Sequence, residues 1–102
     1  MKIVGVTACP TGIAHTYMAQ EALEKAARKL GYDIKIETQG AIGIENKLSQ
    51  SDIDEADVII FAVAIMIEEE ERFEGKSIVK VKVNEAITKA ELIIENAVKS
   101  IE

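Results

Sequence analysis

An α/β fold built on a parallel sheet is predicted by two features of the sequence: strand-like apolar runs alternate with helix-periodic segments, and one run is apolar almost throughout, as a strand buried on both faces should be. The first candidate strand is Lys2 to Thr7 (KIVGVT) and the second Asp33 to Gln39 (DIKIETQ). The third, Asp57 to Ala64 (DVIIFAVA), is the continuously apolar one. A fourth candidate, Ser77 to Val83 (SIVKVKV), interleaves Ile78, Val79, Val81 and Val83 with Lys80 and Lys82, the pattern of an edge strand with one face toward solvent.

Between the first two strands, Ala19, Leu23, Ala26, Ala27 and Leu30 recur at helical spacing, and Gly31 is placed to stop the helix. Near the end, Ala90, Ile93, Ile94, Ala97, Val98 and Ile101 form an apolar stripe, and Thr88 with Glu91 has the spacing of a capping box, so a closing helix is expected to start there. The stretch from Gly40 to Asp54 reads as a loop leading into a short helix around Ser51 to Ala56. Parallel strands with right-handed crossovers bind ligands beyond their carboxyl ends, which directs attention to the residues just after Thr7 and Ala8.

Composition narrows the function. The 102 residues fit a single domain, 1–102, with 48% hydrophobic and 29% charged residues and no apolar run near the roughly 18 residues of a membrane span. The short segment before Thr7 lacks a signal-peptide pattern, so a cytoplasmic location is expected. A formal charge of −6 argues against nucleic-acid binding and favours protein or small-molecule partners. One cysteine and one histidine can form neither an internal disulfide nor a four-ligand zinc site, and nothing suggests more than a monomer. The run Glu68 to Glu71 reads as a solvated turn.

The chemistry is expected in Cys9-Pro-Thr-Gly-Ile-Ala-His-Thr16, between a buried strand and the start of a helix. Unpaired N–H groups and the positive end of the helix dipole favour both a thiolate and a phosphoryl group, which makes Cys9 a candidate nucleophile of lowered pKa. Pro10 fixes its own φ and Gly12 permits a phosphate-cradling nest, while Thr11, His15 and Thr16 offer side-chain donors; Ile13 and Ala14 complete the loop. Transfer between two phosphorylated side chains depends on alignment and charge stabilisation, so no metal or cofactor is required. An isolated cysteine after a strand is more often a small buried hydrophobe, and it is the following Pro-Thr-Gly at a helix start that reverses that reading here. His15 is equally compatible with a solvent-satisfied surface position, Tyr17 and Met18 read as packing or surface residues, and Gly40 and Gly43 as turn glycines.

The spacing also resembles that of low-molecular-weight tyrosine phosphatases, where Cys, five residues and Arg-Ser enclose a phosphate. Here those last two positions hold His15 and Thr16, so the bidentate clamp is missing, and no Asp-Pro general acid exists because Pro10 is the only proline. A carrier fits better than a hydrolase. A non-catalytic anion-binding module is the third possibility, and a redox role lacks the Cys-x-x-Cys spacing.

The segment Val6-Thr-Ala-Cys-Pro-Thr-Gly-Ile-Ala-His-Thr-Tyr-Met-Ala19 resembles the active-site segment of fructose-type IIB domains of the sugar phosphotransferase system. The similarity continues through Glu21 to Lys25, Glu37 to Gly40, Gly43 to Asn46, Ala56 to Val58 and Arg72-Phe73. The resemblance implies a four-stranded parallel sheet flanked by helices in a Rossmann-like three-layer sandwich. It also implies a relay in which a IIA phosphohistidine phosphorylates Cys9, and the phosphocysteine then phosphorylates a sugar, usually fructose to fructose 1-phosphate, at the membrane IIC component. On this sequence Pro10 to Thr16 would be the phosphoryl cradle. Family members commonly carry an Asp just after the third strand, where this chain has Ala62-Val-Ala-Ile65, so partner contacts are expected to differ there.

Overall fold

The computed structural model describes residues 1–9, 13–40 and 43–101, and of Ile13 the backbone only. A sheet of five strands, ordered β3-β2-β1-β4-β5, carries the fold. The strands are β1 (Lys2–Ala8), β2 (Asp33–Gly40), β3 (Gly43–Glu45), β4 (Val58–Val63) and β5 (Val79–Val81). The helices are α1 (Ile13–Lys29), α2 (Gln50–Glu55), α3 (Val83–Thr88) and α4 (Ala90–Lys99), with a 3-10 turn at Glu70–Phe73. The α/β class and the four parallel strands read from the sequence are present.

β1 lies at the centre, parallel to β2 on one side and β4 on the other, and is buried from Ile3 to Ala8. A Cβ on Gly5 would lie 2.8 Å from Ile36 Cδ1 and 2.9 Å from the Ile60 carbonyl oxygen, so the close approach of the flanking strands requires glycine there. On one face α1, α3 and α4 lay Ala19, Leu23, Ala27, Ala86, Ile94 and Ala97 over Ile3, Ile36 and Ile60. On the other, Leu48, Ile53, Ile67 and Phe73 cover Val4, Val6, Ile59 and Phe61. Phe61 and Phe73 meet edge to face with centroids 4.9 Å apart, which anchors the 3-10 turn to the sheet.

Helix α1 ends as its sequence demands. Gly31 adopts φ 83°, its N–H donates to the Arg28 carbonyl at 3.1 Å, and the Tyr32 N–H reaches back to the Ala27 carbonyl at 2.9 Å, a Schellman closure.

Three expectations need correction. The Gly40 to Asp54 stretch is not all loop before its helix: β3 pairs antiparallel with β2, with Gly43 at φ 98° opposite Gly40, adding a fifth strand too short and too polar to show an apolar pattern. The edge strand is shorter than Ser77 to Val83. It pairs only with β4, and the Glu85 carboxylate accepts the Lys82 N–H at 3.1 Å, turning Val83 into the first residue of α3. Finally, Thr88 does not cap the closing helix, because its hydroxyl donates to the Asn84 carbonyl within α3 at 3.0 Å, and α4 begins after Lys89.

Candidate functional site

The parallel register brings three strand ends to one edge: Ala8 is opposite Gln39 of β2 and Val63 of β4. Cys9 is the next residue along β1's path, 8% exposed and packed with the α1-side core. Pro10, Thr11 and Gly12, the front of the expected cradle, lie outside the described residues, as does the Ile13 side chain. Chain length alone keeps α1's first turn close to Cys9, since only three residues separate them.

Within α1, Ala14 and His15 are exposed and Thr16 is 2% exposed. The Thr7 hydroxyl donates to the Thr16 carbonyl oxygen at 3.2 Å, stitching the helix start to β1. The Thr16 hydroxyl itself is buried without a hydrogen-bond partner, alone in this among the side chains of the described residues. Such an orphan costs stability and calls for an explanation. Tyr17 and Met18 are surface residues, as their sequence suggests, and Tyr17 also donates to the Glu45 carboxylate, tying α1 to β3 and raising the phenol's pKa.

A second constellation at the same edge escaped the reading of individual residues. Glu37 is fully buried in β2 and accepts both guanidinium nitrogens of Arg72, at 2.8 and 2.9 Å, with further bonds from Gln39 Nε2 at 2.7 Å and the Leu48 N–H at 2.8 Å. Burial alone would raise this carboxyl's pKa, but the Arg72, Gln39 and Leu48 donors outweigh it and hold the group below the ordinary glutamate range. Hydrogen bonding to Glu37 likewise raises Arg72 against the effect of burial. The signal was present in the strand DIKIETQ: Glu37 and Gln39 are polar residues on a strand that the chain order places inside the sheet, and buried polar groups require partners. The Glu68 to Glu71 run is largely the solvated turn expected, with Glu68, Glu70 and Glu71 exposed and Glu69 paired with Lys47 at 2.8 Å.

Arginine chemistry separates this edge from a phosphatase site. Arg28 lies in the last turn of α1 near Glu24, at 3.8 Å, and Arg72 is committed to Glu37, so neither guanidinium stands as a phosphate clamp.

Residues 4–96 match the family model described as the lactose/cellobiose-specific IIB subunit of the phosphotransferase system. The chain belongs to the phosphotransferase-system IIB family. Its relatives place it on the fructose-type branch. A "PTS system fructose-like EIIB component 2" of Escherichia coli is 53% identical over 93 residues, covering 91% of this chain and 88% of the relative. A "fructose-like EIIB component 1" of the same species is 49% identical over 94 residues, covering 92% and 87%. Among solved structures, a domain of a fructose-specific IIABC component from Borrelia burgdorferi superposes with a TM-score of 0.90 at 51% identity, covering 96% of this chain and 93% of that one. An Escherichia coli Enzyme IIB subunit gives 0.93 at 47% identity, covering 98% and 93%. IIB domains are phosphoryl-carrying components of sugar uptake systems that work with IIA and IIC components. Among the described residues no helix is long and apolar enough to cross a membrane.

Proposed function

We propose that Cys9 is the phosphoryl-accepting residue of this IIB domain. Its sulfur attacks the phosphorus of a IIA phosphohistidine, so that the S–P bond forms as the N–P bond breaks and the electron pair returns to the imidazole. In the second step a sugar hydroxyl held by the IIC component attacks the same phosphorus, losing its proton as the S–P bond breaks. The thiolate leaves and the cycle closes.

The observation that carries this reading is the pairing of Cys9, at the end of the central strand, with a helix start whose second turn holds a buried, unpartnered Thr16 hydroxyl. A donor left unsatisfied at a helix N-terminus is accounted for when a phosphoryl oxygen takes it up. The rest of the cradle runs through Pro10, Thr11, Gly12, Ile13, Ala14 and His15, with backbone N–H groups and the helix dipole stabilising charge on the transferred group. Fructose, leaving as fructose 1-phosphate, is the sugar we assign, because the relatives are fructose-like components and the Borrelia domain belongs to a fructose-specific IIABC component. The domain acts at the cytoplasmic face of its IIC partner and, as a carrier, must release the donor before meeting the acceptor.

The test is to incubate the protein with phosphoenolpyruvate, the general phosphotransferase proteins and a fructose-type IIA, and to map phosphate at neutral pH by mass spectrometry. Phosphate is expected on Cys9, with onward transfer to fructose in membranes holding the IIC partner, and both are expected to vanish in Cys9→Ser. Unmodified Cys9 beside an active donor would sink the proposal.

A further inference from the structure

Beyond β4 the chain does not leave the carboxyl edge at once. The Ala64 N–H donates to the Ala8 carbonyl oxygen at 2.9 Å, immediately before Cys9. Four residues later the Glu68 backbone is held on β2: its N–H donates to Gln39 Oε1 at 2.7 Å, and its carbonyl oxygen accepts Gln39 Nε2 at 3.0 Å. Ala8 and Gln39 are themselves register partners. Residues 64–68 therefore form an arch over the ends of β1 and β2, with one foot on each strand. Of its three middle residues, Ile67 is buried in the core on the face away from α1, while Ile65 is 43% and Met66 86% exposed.

Gln39 can hold both groups of Glu68 only with its amide oxygen and nitrogen the right way round. Glu37 decides that orientation, because an ionised carboxylate accepts and cannot donate, so Nε2 and not Oε1 must face it. Arg72 completes the device: it neutralises Glu37, and its side chain also donates to the carbonyls of Glu69 at 2.9 Å and Leu48 at 2.8 Å, bracing the chain on either side.

We propose that Gln39 is a positioning residue for phosphoryl exchange: it holds the 64–68 arch so that Ile65 and Met66 stand beside Cys9, where the phosphohistidine-bearing donor domain must press to deliver its phosphoryl group. This rests on the carrier reading of Cys9. Group transfer between two proteins brings the reacting atoms to within a bond's length, which covers whatever stands immediately around the acceptor. An apolar pair standing exposed one and two residues past the Ala64–Ala8 bond, in an arch fixed at both ends, presents a preformed contact with little ordering left to lose on docking.

Steady-state phosphorylation of the full chain by a phosphorylated fructose-type IIA separates docking from chemistry. Wild type, Gln39→Leu, Met66→Ala and the double variant are compared, each with its thermal midpoint. Both single variants are expected to raise KM for the donor about tenfold, with kcat within about threefold. The double variant is expected to be little worse than either, because the two substitutions remove one contact. Met66 is on the surface, so Met66→Ala tests the arch even where Gln39→Leu folds poorly. A donor KM unchanged in Met66→Ala, a Gln39→Leu variant that lowers the thermal midpoint alone, or full additivity in the double variant would each overturn the proposal. A wild-type protein that takes no phosphate would instead overturn the carrier reading beneath it.

Discussion

After β1 the chain leaves the carboxyl edge into α1, and after β4 it leaves the same edge into the arch and the 3-10 turn; the two exits are neighbours held by different physics. Among the described residues, the first holds the Thr16 carbonyl on the Thr7 hydroxyl and Tyr17 on Glu45, and it keeps the Thr16 hydroxyl buried without a partner. The second is over-determined, with a carboxylate of zero exposure receiving four donors and the arginine on it reaching three carbonyls besides. On the proposed carrier reading of Cys9, the difference is a division of labour. A site that must bind and release a group keeps hydrogen-bonding capacity open, whereas a surface that must present a fixed shape spends its polar groups internally.

Removing the cation from the second exit should give the largest effect. Arg72→Met leaves Glu37 as an uncompensated charge in the sheet, and unfolding by urea is expected to show a loss of about 3–5 kcal/mol. Adding Glu37→Gln should recover much of it, because the cost comes from the unpaired carboxylate and not from the missing contact area. The pair's pH dependence has a definite sign. Glu37 is held below its ordinary pKa, so its contribution is present above the unfolded value and is lost as pH falls through the folded one. A double variant as unstable as Arg72→Met alone would show that packing of the arginine, with its 5.2 Å contact over Phe73, outweighs the charge.

At the first exit the sign should reverse. Thr16→Val keeps the shape of the side chain and deletes the orphan hydroxyl, which is expected to leave stability unchanged or raise it by up to about 1–3 kcal/mol. On the proposed role of Cys9, donor-dependent phosphorylation should slow in the same variant. Denaturant midpoints and donor-dependent phosphorylation, measured on one preparation, check both halves. A fall in stability with an unchanged phosphorylation rate would mean that the hydroxyl is satisfied within the protein and serves the fold.

This contrast also explains which parts were legible in the sequence. At the first exit the strand before Cys9 and the helix after it were readable because their message is local, an apolar run and a helical period, whereas the cradle expected at Pro10 to Gly12 lies outside the described residues. The α1 stripe and Gly31 were readable for the same reason, through helical period and a left-handed glycine. The second exit is non-local. Glu37 and Arg72 are 35 residues apart and Gln39 and Glu68 are 29, so neither pairing leaves a spacing to detect; the only trace is a pair of polar residues in an inner strand. β3 and α3 were missed through local competition. The three residues of β3, Gly43-Ile44-Glu45, are too few to show a period, and at Val83 the Glu85 bond to the Lys82 N–H overrides a strand-like run of valines.

The weakest prediction lies where the second exit's network runs out to solvent. Just past Leu48, Ser49 caps α2 by accepting the Asp52 N–H at 3.0 Å, and Asp52 returns the bond by accepting the Ser49 N–H at 3.0 Å while its carboxylate meets Lys35 at 3.0 Å. The backbone bond from Ser49, followed by the Lys35 contact and the Ser49 hydroxyl, lowers the Asp52 carboxyl from 3.8 to about 2. A depressed pKa of this kind stabilises the fold above the unfolded value of 3.8 and ceases to do so as pH falls toward 2. Asp52→Asn should therefore be less stable than wild type at about pH 5, and the gap should close as both are acidified through that window. At about pH 5 it should be smaller than the Arg72→Met effect, because solvent screens what the sheet interior does not. A gap that stays constant down to pH 2 would mean that Asp52 acts through the geometry of the cap and not through its charge.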